Sequence, residues 1–499
     1  MSSRGVFLKL PTGYSIRTCL KFGVPVADES ALRSAFGCKG SSGLKRCMLC
    51  QNVFDAKNRR DILVDDTSWA QDHTVSKLEK CVPHTKHTIA AIFRKLAVSK
   101  QTLNVGDFDE LQTRLGWVYV KKSVMTDPAT STLIDPTQHV IYDWMHVFFV
   151  TGVFNVHMGA MMLKLSAFNI SYSTLDRYVN AWCWPRHVGT TTGADCCGVK
   201  KAKSSWKKQV FNCQASEGRS LYPIFANWVQ EVLLRSDIDE VVAMGRNYLH
   251  LTLVLELVES TARDISPSTH PRRLQAALDE YLSAYKEIYG KEWMTIKFHM
   301  ALHLGVFFER WGCLPNCFAL ERKHKHPKRF TQEIRNTSLD YDASALREVT
   351  NRHISVLCSP DSTHFQTEPG LLDPRTPSKQ MLLELCECFN CRAEFHTAQK
   401  ARYNKWEKCS RKDVVLINDA GVKRVGHIMM IFKASLPGRV DLNVVHVDTW
   451  SYISSGARFT KWACAGQMAI FELSSIERTR IYSMSGGSAV VLMPFGVSF

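Results

Sequence analysis

No aspartate or glutamate precedes Asp28, so the N-terminal stretch supplies no metal-binding carboxylate. The opening MSSRGVFLKLPTG also lacks an apolar run of leader length, which argues against export and against a disulfide framework. The 17 cysteines, an odd number, therefore read as reduced thiols with a few metal ligands among them. A clean membrane-spanning run is missing too. The best candidate, VFFVTGVFNVHMGAMML at residues 147–163, contains Asn155 and His157 and follows Asp143 and His146. It is expected as a buried helix, with no membrane partner. No internal repeat or low-complexity tract interrupts the chain.

What is present is ordinary globular material. Apolar content of 45% and charged content of 22% exclude wholesale disorder, and 499 residues allow about two to four domains. Lys+Arg 63 against Asp+Glu 47 leaves +16, an excess that favours a polyanionic partner, most simply nucleic acid, over a merely solvated basic surface.

Along the chain, RTCLKFGVPVAD reads as a strand ending at Asp28 and ESALRSAF as the helix that follows. GCKGSSGLKRCMLC is a Gly/Ser turn running into Cys47-x-x-Cys50. Residues 1–135 form one segment; residues 136–350 are mainly helical, with long apolar-periodic stretches at 222–260 and 272–289. Residues 351–380 are rich in Pro, Ser, Thr and Asp and read as a linker, which with the cysteine-rich CECFNC segment fills 351–399. From 400 to 499 short β-type runs such as DVVLIND and LNVVHVDTW alternate with Gly, Asn and Ser turns, the pattern of a small all-β barrel or sandwich.

Three constellations carry chemistry. Cys47 and Cys50 can put two thiolates on one tetrahedral zinc, which is half a ligand set. The other half could be local, from Cys81, His84 and His87 in CVPHTKH, or distant, from His299 and His303, four apart on one helix face in TIKFHMALHLG. Glu321 in FALERKHKHPKRF is either a surface salt-bridge partner or a metal-binding acid beside a basic strip. Asp28 is either a helix cap or a magnesium-binding carboxylate at a strand end. A fourth feature is IYDWMH, where Asp143 and His146 sit three apart inside an apolar run.

Taken in order, these segments resemble the catalytic core of eukaryotic DDE transposases, nearest to the CACTA-type group and its relatives, including the V(D)J recombinase core. VADESALRSAFGCKGSSGLKRCMLC is similar to the family's second-acid segment, KFHMALHL and FALERKHK to its histidine pair and glutamate helix, and YDWMH to its D-x-x-H step. The resemblance spans about residues 20–330. It implies a partial RNase H-like α/β core with a large helical insertion, followed by the small all-β domain. It assigns Asp28 and Glu321 as magnesium-binding acids, His146 to the scissile phosphate with Asp143 orienting it, and Cys47, Cys50, His299 and His303 to a structural zinc. Lys323, Lys325, Lys328 and Arg329, with Lys207 and Lys208 of KKAKSSWKK, become DNA-backbone contacts, and Trp206 a residue that could stack on a base.

In the family a first acid lies upstream of the second, and this sequence has none there. The chain is therefore expected to be a truncated transposon fragment, a domesticated relative, or a gene product begun at an internal Met. The implied activity is Mg²⁺-dependent DNA strand cleavage and transfer at transposon ends, in the nucleus. The alternative is a zinc-stabilised DNA-binding or interaction protein that has lost the chemistry, and homo-oligomerisation is left open. A helical scaffold with an SH3-like tail would use none of these features.

Overall fold

The computed structural model describes residues 6–9, 15–18, 25, 27–55, 69–186, 194–261, 270–318, 341–358, 368–389, 393–404, 407–435, 441–456 and 459–493. The chain divides into two compact units: Met1–Lys164 with Trp206–Ala215 and Asp237–Ala319, and Leu165–Ser205 with Ser216–Ser236 and Leu320–Phe499.

The first unit is mainly helical. Among the described residues its strands are an antiparallel pair, Val6–Lys9 with Ser15–Thr18, and a short parallel pair, Val53–Phe54 with Gln71–Asp72. Of the strand expected to reach Asp28, Ser15–Thr18 is a strand, residues 19–24 and 26 lie outside the described residues, and Pro25, Ala27 and Asp28 are outside any strand. Asp28 is instead the N-cap of the Glu29–Phe36 helix, because a short side-chain acceptor satisfies the first-turn N–H groups more cheaply than an extended backbone can. Gly37, in the left-handed region at φ 73, ends that helix where a Cβ would sit 2.9 Å from the Val118 carbonyl.

The apolar run around IYDWMH is two helices, Trp144–Phe149 and Val153–Leu165, and its side chains are almost all buried. Two helical stretches, Trp144–Phe168 and Asp239–Ser260, are long and apolar enough to cross a bilayer, and both are mostly buried within the protein's own fold. Helices Pro271–Tyr289, Ile296–Leu302 and Leu304–Trp311 complete this core.

The second unit carries the expected all-β region. A nine-stranded antiparallel sheet runs Ile476–Arg480, Val414–Asp419, Val422–Ser435, Leu442–Ser455, Phe459–Glu472, Ser488–Leu492, Tyr482–Ser485 and Trp182–Cys183, with Glu394–Ala398 added beside Val422–Ser435. Period-2 alternation feeds two cores: Val415 and Ile417 pack with Ile428, Val445 and Val447, whereas Val414 and Leu416 pack with Trp450, Trp462 and Val491. Within the stretch expected as a linker, the Tyr341–Cys358 helix covers residues 351–358, and Lys379–Phe389 is helical as well. NRHISVLC contains no Pro or Gly to stop the helix, and the breakers begin at Pro360.

Candidate metal centre and adjoining cleft

Cys47 and Cys50 lie on a bend pinned from one side by the segment after Cys81. His84 N donates to Leu49 O at 2.7 Å, and Gln51 N to Val82 O at 2.8 Å. The Leu49 N–H also points back to Cys47 Sγ at 3.4 Å, a bond that suits a thiolate. His299 projects from the Ile296–Leu302 helix and His303 from its C-cap, so a four-residue spacing puts both imidazoles on one face. All four side chains are buried, and one ligand atom from each lies within 4.8 Å of the others.

The three edges that meet at His303 Nε2 match those of a tetrahedral site. His303 Nε2 is 3.5 Å from Cys47 Sγ, 3.5 Å from Cys50 Sγ and 3.2 Å from His299 Nε2. Zinc–sulfur and zinc–nitrogen bonds of about 2.3 and 2.05 Å at tetrahedral angles require S···N edges of about 3.5 Å and N···N edges of about 3.3 Å. Two imidazole Nε2 atoms facing each other at 3.2 Å also cannot both carry protons, which suits two lone pairs aimed at one cation. The group could therefore hold a metal ion such as zinc. Support behind the four side chains is uneven: Tyr142 Oη meets Cys47 Sγ at 3.6 Å, but His299 Nδ1 is buried without a hydrogen-bond partner.

The thiols are poised asymmetrically. Burial pushes Cys47 upward, but the hydrogen bond from Cys50 and the His303 and His299 imidazoles outweigh it and hold Cys47 well below the usual thiol value. Cys50 is driven up, first by its hydrogen bond to Cys47, then by Cys81 and burial. Burial keeps His299 low, hence neutral and able to ligate.

The local alternative contributes one thiol. Cys81 has its thiol pKa lowered, first by Cys50, but His84 Nδ1 meets Thr88 Oγ1 at 3.1 Å and its ring lies edge-on to Trp117. Burial pushes His84 down to about 4, and His87 is exposed on the Lys86–Thr102 helix.

Next to the cluster, a small cleft is lined by Glu29, Tyr142, Asp143, His146, Val147 and Lys297. Asp143 explains how a titratable pair survives in an apolar run. Its carboxylate caps the Trp144–Phe149 helix, accepting from Met145 N and His146 N at 3.2 Å each, from Cys317 N at 3.0 Å, and from His146 Nδ1. Four donors compensate its desolvation, and the Nδ1 bond fixes the imidazole with Nε2 on the far side from the carboxylate. Cys317 joins Asp143 and His146 as a second group of potential ligand atoms, although the carboxylate's acceptor capacity is taken by those donors.

Lys297 Nζ donates to the His146 carbonyl at 3.1 Å and to the Val150 carbonyl, closing the C-terminal end of the same helix. Burial lowers its pKa, while Glu29, Asp143 and Asp28 oppose that. Asp28 accepts from Ala31 N at 2.7 Å and Ser30 Oγ at 2.8 Å, both through Oδ1. Burial raises its pKa, but those two bonds and the nearby His146 bring it below the usual carboxylate value. His146 is thus bonded to Asp143 and acts on Asp28 through charge.

Glu321, Lys323, Lys325, Lys328 and Arg329 lie outside the described residues. Lys207 and Lys208 end the Val199–Lys208 helix and are exposed, as are Lys200 and Lys203. Trp206 stands among them 48% exposed, whereas Lys201 is engaged by Glu217 at 3.1 Å. Cys386 packs against the Leu385–Phe395 core. Tyr142 and Lys297 are residues that motif reading passes over. The available signals are adjacency alone: Tyr142 precedes Asp143, and Lys297 lies two before His299. No family model matches the chain, and no curated protein matches it.

Proposed function

We propose that this is a DDE transposase-like protein with a partial RNase H-like core, acting on DNA in the nucleus by metal-dependent strand cleavage and transfer at transposon ends. The observation that carries the reading is the Cys47–Cys50–His299–His303 cluster. It joins positions up to 256 apart, in the order and ligand types the transposase resemblance implies. A structural zinc there would clasp the helical insertion to the segment that holds Asp28. Support also comes from the charge effect of His146 on Asp28 and from the Asp143 carboxylate that orients the imidazole.

In this reading Asp28 and Glu321 hold Mg²⁺, which would activate the attacking oxygen and stabilise the leaving one. His146 donates to the scissile phosphate through Nε2, with Asp143 fixing its tautomer. The exposed lysines of Val199–Lys208 contact the DNA backbone, and Trp206 offers a stacking face.

The engagement of both described acids favours a second reading: Asp28 caps a helix and Asp143 is filled by four donors, as in a scaffold that keeps its zinc and binds DNA without cutting it. Incubation of the purified chain with supercoiled plasmid and Mg²⁺ separates the two. Nicking that disappears in Asp28→Asn and Glu321→Gln supports the enzyme. Retarded plasmid without nicking under Mg²⁺ or Mn²⁺ supports the scaffold, and neither binding nor nicking refutes both.

A further inference from the structure

Cys81 stands beside the metal cluster without being one of its four ligands. An antiparallel bridge joins Cys50 to Pro83, Gln51 N donates to Val82 O at 2.8 Å, and Val82 N donates to Asn52 Oδ1 at 2.7 Å. In that pairing Cys81 lies diagonally across from Cys50 on one face, within reach of a side-chain contact. Their exposure differs. Cys47 and Cys50 are 3% and 2% exposed, whereas Cys81 is open to solvent in part. The centre therefore has a buried ligand thiol one diagonal step along the pairing from a thiol that a small oxidant can reach.

We infer that Cys81 is the sensor of a peroxide-driven switch that releases the metal from this centre. The inference rests on the reading of Cys47, Cys50, His299 and His303 as a metal site. Hydrogen peroxide transfers one oxygen to the Cys81 sulfur, giving a sulfenic acid and one water. The Cys50 thiolate then attacks the Cys81 sulfur; the S–S bond forms, the S–O bond breaks, and hydroxide leaves. Two thiols are oxidised by two electrons in all, and the peroxide is reduced by the same two. Cys50 is consumed as a ligand, which leaves Cys47 and the two histidines with an incomplete tetrahedron. The clasp between Cys50 and His303, 253 positions apart, then opens. The CxxC pair is the less favoured disulfide, because both of its sulfurs are buried and directed at the metal.

The test uses the full chain loaded with zinc and treated with equimolar hydrogen peroxide. Zinc release is followed with a chromogenic chelator, and disulfides are mapped after alkylation and non-reducing digestion. The expected product is a Cys50–Cys81 linkage with one zinc released per chain. Cys81→Ser, and Cys81→Ala as a second variant, should load one zinc and release it about tenfold more slowly or less, since the resolving step is gone. A Cys47–Cys50 disulfide, or unchanged release in both variants, overturns the switch while leaving the metal site intact. A wild-type chain that binds no zinc by native mass spectrometry overturns the metal reading itself, and the switch with it.

Discussion

Removing the metal should cost the first unit a large part of its stability, because the ion closes a loop of exceptional length. His303 Nε2 is the hub, in contact with Cys47, Cys50 and His299, and Cys50 lies 253 positions from it. The chain-entropy relation for a cross-link over about 250 residues gives roughly 5 kcal/mol, the unfolded state losing freedom that the folded state never had. For a unit of this size 1 kcal/mol moves Tm by about 2–4 °C, so chelation should lower the first transition by about 10–20 °C. Calorimetry of zinc-loaded protein, with and without a chelator, measures that shift. His303→Ala should show the lowered Tm already and respond little to chelator, whereas His84→Ala, whose ring bonds Thr88, should keep the metal response. A shift under about 3 °C on chelation, or an undiminished chelator response in His303→Ala, would refute the clasp.

The remaining predictions concern the cleft, the basic helix and a buried histidine. Asp143→Ala should cost about 2–4 kcal/mol by urea denaturation, since it strands the Cys317 N–H and uncaps a helix. Asp143→Asn should recover part of that stability, and equal losses for the two would count against the capping role. Neutralising Lys200, Lys203 and Lys207 together should flatten the salt dependence of duplex DNA binding, by about 0.9 in log–log slope for each phosphate left without its lysine. An unchanged slope would remove the Val199–Lys208 helix from the interface. His157 is fully buried, with Nδ1 3.1 Å from Tyr281 Oη and rings of Tyr248, Tyr285 and Tyr289 around it. Burial pushes it down to about 3 from 6.5, so below pH 6.5 the unfolded chain binds a proton that the folded chain does not. Stability then falls as pH drops towards 3, by of order 1 kcal/mol per pH unit. His157→Phe should shed that part of the slope in urea midpoints taken at about pH 7, 6 and 5, and parallel curves would show that His157 does not titrate on unfolding.

Residues speak through sequence in proportion to how local their partners are. The Glu29–Phe36 helix is legible because Asp28, its cap, and Gly37, its stop, are adjacent to it. The β character of the last hundred residues is legible because short β-branched runs such as Val414–Ile417 recur between Gly, Asn and Ser turns, the signature of sheet strands. The two-residue strand Trp182–Cys183 is not legible, since it is too short for a period and its partner, Tyr482–Ser485, lies some 300 positions on. The metal centre falls between these cases. Each half declares its ligand type by spacing, two thiols three apart and two imidazoles four apart, but spacing leaves the choice between His84 and the distant pair open. Only packing across the unit decides it. The same limit governs Asp143. A carboxylate beside Trp144 and Phe148 announces a desolvation cost that something must offset, and its own helix supplies two backbone donors and an imidazole. The fourth donor, Cys317 N, comes from 174 positions away and completes the compensation. A buried acid in an apolar run is thus a local signal of a non-local contact. In this chain that contact ties the dyad to the segment immediately before Glu321, the residue on which the catalytic reading most depends.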